Sequence, residues 1–386
     1  MSDLPWQVLR SPLSQWEALP SFLVGEILFV GLALLALAHA LGQPGAERRR
    51  HMTVWVGALV TGTVNDWIFM LLPLVDNFWQ AQATVMLSVR MPLYIPCVYV
   101  WFMYVPTVGL WRVRRSEGPW GRLGQAAAAG LAGIVVYAPY DIVGAKFLWW
   151  SWHDTDPPIA SRLLGAPIGS TIWVICFVAS FSLLISWMLD RDGEAPLRGC
   201  AKAVGLAATC TTVVMVVQMT ALQQLDGGTP GPVGLVAVAI LYGVLGARGL
   251  HLGRDRRDGP WDVRLRWGTW IYFATLASIM AVFEPASHRS TGVHQAVGPC
   301  YVEQPDITGL TRHEFLCVGD FDEDFTFDCV DAPPVDGTRW YTICGRPHRA
   351  LGRWLVGVLG LSLLGALLFG WLLGGSGLRN RRDEDS

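Results

Sequence analysis

The run Asp141-Ile-Val-Gly-Ala-Lys-Phe-Leu-Trp-Trp-Ser-Trp-His-Asp-Thr-Asp-Pro-Pro158 sets Trp149, Trp150 and Trp152 directly against His153, Asp154 and Asp156. Aromatic faces hold apolar matter and stabilise cations. An imidazole and carboxylates move protons or ligate metal ions. Together they point to a site that handles something greasy by acid–base or metal chemistry. Two chemistries fit. In the first, a carboxylic acid in a dry cavity protonates an alkene, with Asp66 or Glu26 as the acid and Trp149, Trp150 and Tyr94 facing the carbocation. Asp141, Asp154 and His153 complete the candidate catalytic set. In the second, His153, Asp154 and Asp156 hold a divalent metal ion while Arg90 and Arg162 clamp a lipid phosphate. The H-D-x-D run lacks the spaced histidines of common zinc motifs. Arg90, Tyr94, Trp149, Trp150, Trp152 and Arg162 form the substrate-binding set. The plain structural alternative is an interfacial tryptophan belt with acids paired to Arg90 and Arg162. It leaves unexplained why His153, Asp154 and Asp156 follow the tryptophans at once, before Pro157 and Pro158 stiffen the exit.

The elements that must position these residues are membrane helices. The chain of 386 residues is 52% hydrophobic and 16% charged, which excludes an ordinary soluble domain. Apolar stretches long enough to span fall at 21–42, 53–75, 84–108, 124–145, 168–189, 203–224, 231–250, 267–284 and 351–374. The fold expected is an all-α polytopic bundle of about nine spans. Basic clusters at Arg48–Arg50, Arg112–Arg115, Arg191–Lys202, Arg254–Arg257 and Arg379–Arg382 occupy alternate loops. Under the positive-inside rule the N-terminus is outside and the C-terminus inside. No cleavable signal pattern opens the chain.

Residues 1–284 read as an eight-span bundle carrying the site. Residues 285–350 read as an extracytoplasmic loop domain, and 351–386 as a ninth span with a charged cytoplasmic tail. Cys300, Cys317, Cys329 and Cys344 share the exported loop, which predicts two disulfides with three pairings open. Asp320, Asp322 and Asp324 alternate as calcium loops do, but Phe325 stands where an EF-hand requires glycine. In the third stretch, Pro92 and Pro96 predict a kinked helix beside a polar cavity, with Arg90, Tyr94, Cys97 and Trp101 on one face. Ionisable groups within the spans fall almost wholly in the outer half. A polar cavity open to the outer leaflet is expected, with the cysteine-rich loop as its lid.

Asp66, Pro92, Tyr94, Pro96, Asp141, the tryptophans at 149, 150 and 152, Gly165-Ala-Pro167 and Trp173 together form a pattern. It resembles that of integral-membrane carotenoid-biosynthesis proteins of the bisanhydrobacterioruberin-hydratase type, over residues 55–190. The W-H-D-T-D-P run also resembles an uncharacterised multi-pass membrane family. The first resemblance implies hydratase- or cyclase-like chemistry on an isoprenoid. The His153–Asp156 run, the cysteine-rich loop and the ninth span do not belong to that pattern.

The expectation is an integral membrane enzyme that modifies a lipid or isoprenoid; its cofactor is left open, a divalent metal being the one the acidic run would accept. A metal-dependent head-group hydrolase or transferase is the nearest alternative. A non-enzymatic small-ligand binder or transporter is the competing class. A transporter should offer paired broken helices in two halves, which the chain lacks. Membrane lipid is the partner expected; nucleic acid is not.

Overall fold

The computed structural model describes residues 4–71, 77–153, 156–191, 196–251, 262–305, 309–319 and 323–374. After a short α1 (Pro12–Ala18), the long helices are α2 (Pro20–Leu41), α3 (Gly45–Leu71), α4 (Tyr94–Trp111) and α5 (Gly118–Lys146). A four-residue α6 (Pro157–Ala160) precedes α7 (Ile168–Arg191), α8 (Leu197–Gln223), α9 (Pro232–Gly249), α10 (Val263–Val282) and α11 (Leu351–Leu372). Seven of them are long and apolar enough to cross a membrane, which gives the chain its multi-pass membrane character. The expected spans at 53–75 and 267–284 correspond to α3 and α10, which fall short of that apolarity. Polar residues interrupt them: Asn65 and Asp66 in α3, Arg264 and Arg266 in α10.

Large apolar side chains remain exposed along the helices, among them Ile27, Leu34, Val217, Ile240, Ile271 and Leu363. A soluble monomer rarely exposes so much apolar surface. Hydrocarbon contact accounts for it. The interior is aromatic. Tyr94, Trp101, Tyr104, Trp149 and Tyr272 are fully buried. Small residues let helices approach. A Cβ at Gly62 would meet the Tyr99 ring at 2.1 Å, and one at Gly144 would meet Trp150 at 2.0 Å.

The expected helix over 84–108 starts only at Tyr94. Residues before it are extended, bridged at Leu9–Val85 and Met86–Pro92. Proline biases its predecessor away from helix, so Pro92 lies outside α4. Pro96 occupies the first turn, where its missing N–H is not required. Neither proline kinks a span, Arg90 lies before the helix, and the proline inside α4 is Pro106.

The fold is mostly helical rather than all-α, because backbone outside the bundle pairs as short strands. Strand β1 (Phe78–Gln80) pairs antiparallel with β2 (Trp150–Trp152), Phe78 opposite Trp152. Two two-residue strands, β3 (Arg162–Leu163) and β4 (Ala166–Pro167), close the turn into α7. In the 285–350 segment, β5 (Arg289–Val293) pairs with β8 (Trp340–Cys344), and β6 (Glu303–Pro305) with β7 (Thr311–His313). Cys300 is bonded to Cys317 and Cys329 to Cys344. Val297, Leu316, Phe325, Tyr341 and Ile343 form a small core that also takes in Leu148. That core keys this segment to the end of α5.

Candidate functional site

A cavity of about 210 Å³ lies among α3, α4, α5, α7 and α8, and β1, β2 and β7 reach over it. Its walls carry Tyr99, Phe102, Tyr137, Tyr140, Trp150 and Trp173. These rings brace each other: Tyr140 and Trp150 centroids are 4.8 Å apart, Tyr137 and Trp173 6.0 Å. Asn65 and Asp66 enter from α3. Asp156 and Arg312 lie on the other side, where the 285–350 segment, the cap, meets the bundle.

Asp66 is buried. Tyr99 donates its hydroxyl hydrogen to Asp66 Oδ1. Asn65 Nδ2 donates to Tyr99 Oη at 3.2 Å, and Thr212 Oγ1 donates to Asn65 Oδ1 at 3.1 Å. The chain of donors runs from α8 through α3 and α4 to one carboxylate oxygen. Such directed hydrogen bonds orient the acid in the cavity wall.

Of the candidate catalytic, binding and metal residues, Asp66, Trp150, Trp152 and Asp156 line this cavity. Others stand behind its wall. Asp141 accepts from Ser170 Oγ at 2.8 Å, and Tyr94 donates to Gln80 Oε1 at 2.8 Å; Ser170 and Gln80 are lining residues. Trp149 stacks on Phe22 and donates to Ser21 Oγ at 3.0 Å. Glu26 accepts from both the backbone and hydroxyl of Thr84, at 2.8 and 2.9 Å. Arg90 donates to the carbonyls of Met70 and Phe78 at 2.7 and 2.8 Å. It thereby serves the carbonyl end of α3, where a cation is favoured. Arg162 lies over Trp152 and reaches Asp324 at 3.2 Å. Asp154 lies outside the described residues, as do Asp320 and Asp322.

His153 sits beyond Trp152, its Nδ1 bonded to Glu323 and its Nε2 3.2 Å from the Phe315 carbonyl. Burial opposes its protonation, but the Glu323 carboxylate and Asp156 outweigh that and lift its pKa above the ordinary histidine value. Asp156 accepts the His313 backbone N–H at 2.8 Å and faces Arg312 Nε at 3.6 Å. His153, Asp156 and His313 each offer a ligand atom, all within 4.8 Å of one another.

The expected confinement of polar groups to one end is corrected by a second cluster. His39 Nδ1 lies 2.7 Å from Tyr104 Oη, His51 Nδ1 lies 3.0 Å from the same oxygen, and His39 Nε2 reaches Asp262 at 2.5 Å. It lies toward the opposite ends of α2 and α4 from the cavity.

Tyr99, Arg312, His313 and Glu323 escaped the sequence analysis. The last three lie more than 150 residues from His153 and carry no local motif. Tyr99 could have been reached from Asp66, since a buried acid requires a donor.

A helical bundle with apolar spans, a disulfide-bonded cap and an aromatic cavity defines a multi-pass membrane protein. The chain belongs to the family described as "Domain of unknown function (DUF7802)", matched over residues 6–191 and 254–372. The two matched stretches flank α8 and α9. No curated protein and no solved structure matches the chain.

Proposed function

We propose that this is a membrane-embedded enzyme that modifies a lipid or isoprenoid by acid–base chemistry at Asp66. The observation that carries the reading is a buried carboxylate, oriented by Tyr99, on the wall of an aromatic cavity. Polar groups this deep in a membrane bundle are costly and mark function. Asp66 gives its proton to one alkene carbon, and the π electrons form the new C–H bond. The adjacent carbon becomes cationic and lies against the rings of Tyr137, Tyr140, Trp150 and Trp173, each contributing about 0.5–2 kcal/mol. Water adds to that carbon and returns a proton to the Asp66 carboxylate, giving a hydratase. Attack by a second alkene of the same chain instead closes a ring and moves the cation onward, and loss of a neighbouring proton to the Asp66 carboxylate gives a cyclase. The resemblance of residues 55–190 to membrane hydratases of carotenoid biosynthesis supports the same class of chemistry.

The proposed topology has nine spans, counting α3 and α10, with the N-terminus out, the C-terminus in and 285–350 extracytoplasmic. Exposed Trp267 and Ile271 on α10 support its place among the spans, and the two disulfides suit an oxidising compartment. The cavity then opens toward the outer leaflet beneath the cap.

Untargeted lipid profiling of cells with and without the gene tests the reading. The expected result is a lipid pair that differs by one water, or an isomer pair, lost in the Asp66→Asn strain. A lipid profile identical in wild-type and Asp66→Asn strains overturns it and leaves a ligand-binding protein.

A further inference from the structure

We propose that His153, Asp156 and His313 bind a divalent transition-metal ion of the zinc class where the cap meets the cavity. The three side chains come from separate segments: the end of β2, the turn into α6, and β7. Their ligand atoms already lie within 4.8 Å of one another. A bound zinc ion keeps nitrogen and oxygen ligands at about 2.0–2.2 Å, so only small side-chain movements are needed to close on it.

Two further observations point to an ion. The first is Asp156. It is 1% exposed, and its Oδ1 is held by the His313 backbone N–H. Its Oδ2 is buried without a hydrogen-bond partner among the described residues, Arg312 Nε at 3.6 Å lying beyond hydrogen-bond distance. A buried carboxylate oxygen left in that condition is costly, and metal coordination satisfies it. The second is Glu323. It bonds the Nδ1 of His153 from 170 residues away. A carboxylate on the far nitrogen of a histidine fixes the ring and raises the basicity of the other nitrogen, the arrangement that supports a metal-ligating histidine. His153 Nε2 then turns from the Phe315 carbonyl, 3.2 Å away, to the ion.

Two histidines and one carboxylate leave a coordination position open for water or substrate, as in catalytic rather than structural sites. Asp156 and Arg312 both line the cavity. The open position therefore lies beside a guanidinium, a pairing suited to an anionic or oxygen-bearing end of a ligand whose apolar body fills the aromatic part. The competing account is electrostatic alone: Arg312, 3.6 Å away, neutralises Asp156, and His153 with Glu323 is a plain ion pair.

Elemental analysis of the full-length protein, purified in detergent, incubated with zinc and dialysed, separates the two. We expect about one ion per chain. Elemental analysis also reads iron(II), which the same ligand set accepts. His313→Ala and Asp156→Asn should each lower the retained metal at least tenfold, and Glu323→Gln should weaken affinity about 10–100-fold. Unchanged disulfide mapping certifies the fold of each variant. Should a variant unfold, cobalt(II) added to the wild-type protein gives the reading, through visible d–d bands of a low-symmetry nitrogen and oxygen site. Wild-type protein that retains less than a tenth of an equivalent and shows no cobalt bands overturns the proposal. So does full retention in folded His313→Ala and Asp156→Asn. Asp66→Asn should keep its ion whatever its lipid phenotype, so this site stands or falls separately from the chemistry at Asp66.

Discussion

Tyr99 and Asp66, on neighbouring helices, share a hydrogen that the phenol donates to the carboxylate inside the bundle. Asp66→Asn keeps the shape and removes the acid. General acid–base catalysis is typically worth 10²–10⁴-fold, so the altered lipid should fall by at least about a hundredfold. Tyr99→Phe removes the hydroxyl that orients the acid, a bond worth about 0.5–1.5 kcal/mol, and should lower turnover roughly two- to tenfold. Lipid extracts from complemented cells give both numbers. Full activity in Asp66→Asn would remove this residue from the chemistry.

A methyl group at Gly62 would act through the same pair without touching a polar atom. Its Cβ would meet Cγ of Tyr99 at 2.1 Å. The ring must move, and its hydroxyl with it. Gly62→Ala should therefore lose activity much as Tyr99→Phe does. Gly31→Ala is the control, because no atom lies within 4 Å of a Cβ there. Equal activity in the two alanine variants would show that Tyr99 need not hold its position.

Non-reducing peptide mapping should find Cys300 linked to Cys317 and Cys329 to Cys344, with Cys97, Cys176, Cys200 and Cys210 outside any disulfide. Any other linkage contradicts the cap. The Cys329–Cys344 bond closes a separation of 15 residues, for which chain entropy predicts about 3 kcal/mol. A Cys329→Ser, Cys344→Ser double variant should be destabilised by about that amount, measured by thermal unfolding in detergent.

The long apolar stretches showed where the helices lie, because hydrocarbon length and hydropathy are properties of contiguous sequence. The start of α4 was misplaced for a local reason. Val85–Met91 are nearly as apolar as a span, yet they turn back on Val8 and Leu9 through backbone bonds. Asp66 and the tryptophan run were legible as chemistry. Their partners were not. Tyr99 meets Asp66 through the packing of α3 on α4, and Glu323 meets His153 through the fold of the cap. Neither pairing leaves a periodic signal. Arg90 looked like a partner for Asp66 because charge suggests charge. The structure gives it the backbone carbonyls of Met70 and Phe78 instead.

Reporter fusions test the orientation. A fusion after Leu372, or at the C-terminus, should report the cytoplasm, and one inserted between β6 and β7 the exterior. The alternating arginine clusters motivate this arrangement. A cytoplasmic signal from the 285–350 segment would invert the cavity and place its mouth on the inner leaflet.

His288 provides a pH test of how the cap holds the bundle. Its Nδ1 lies 3.0 Å from the Glu284 carbonyl and its Nε2 2.8 Å from Ser21 Oγ, with the Ser21 backbone N–H at 3.4 Å. Trp149 occupies the same serine oxygen as donor. A neutral ring that donates from Nδ1 and accepts at Nε2 satisfies every partner. A proton on Nε2 would face Ser21 donors. Burial pushes the pKa down to about 4 from the usual 6.5, against the pull of the Glu284 carbonyl. The unfolded chain therefore takes up this proton first. Stability from this residue is complete above pH 6.5 and falls as pH drops toward 4, where the folded state also protonates. One pKa unit is about 1.4 kcal/mol, so the full window costs about 3 kcal/mol, and the step from pH 7 to 5 about 2. Other groups titrate in the same range, so the comparison is with His288→Gln, which keeps a hydrogen-bonding side chain and does not titrate. Wild type should lose more thermal stability between pH 7 and 5 than the variant does. Parallel losses would mean that His288 does not bear the cap's pH sensitivity.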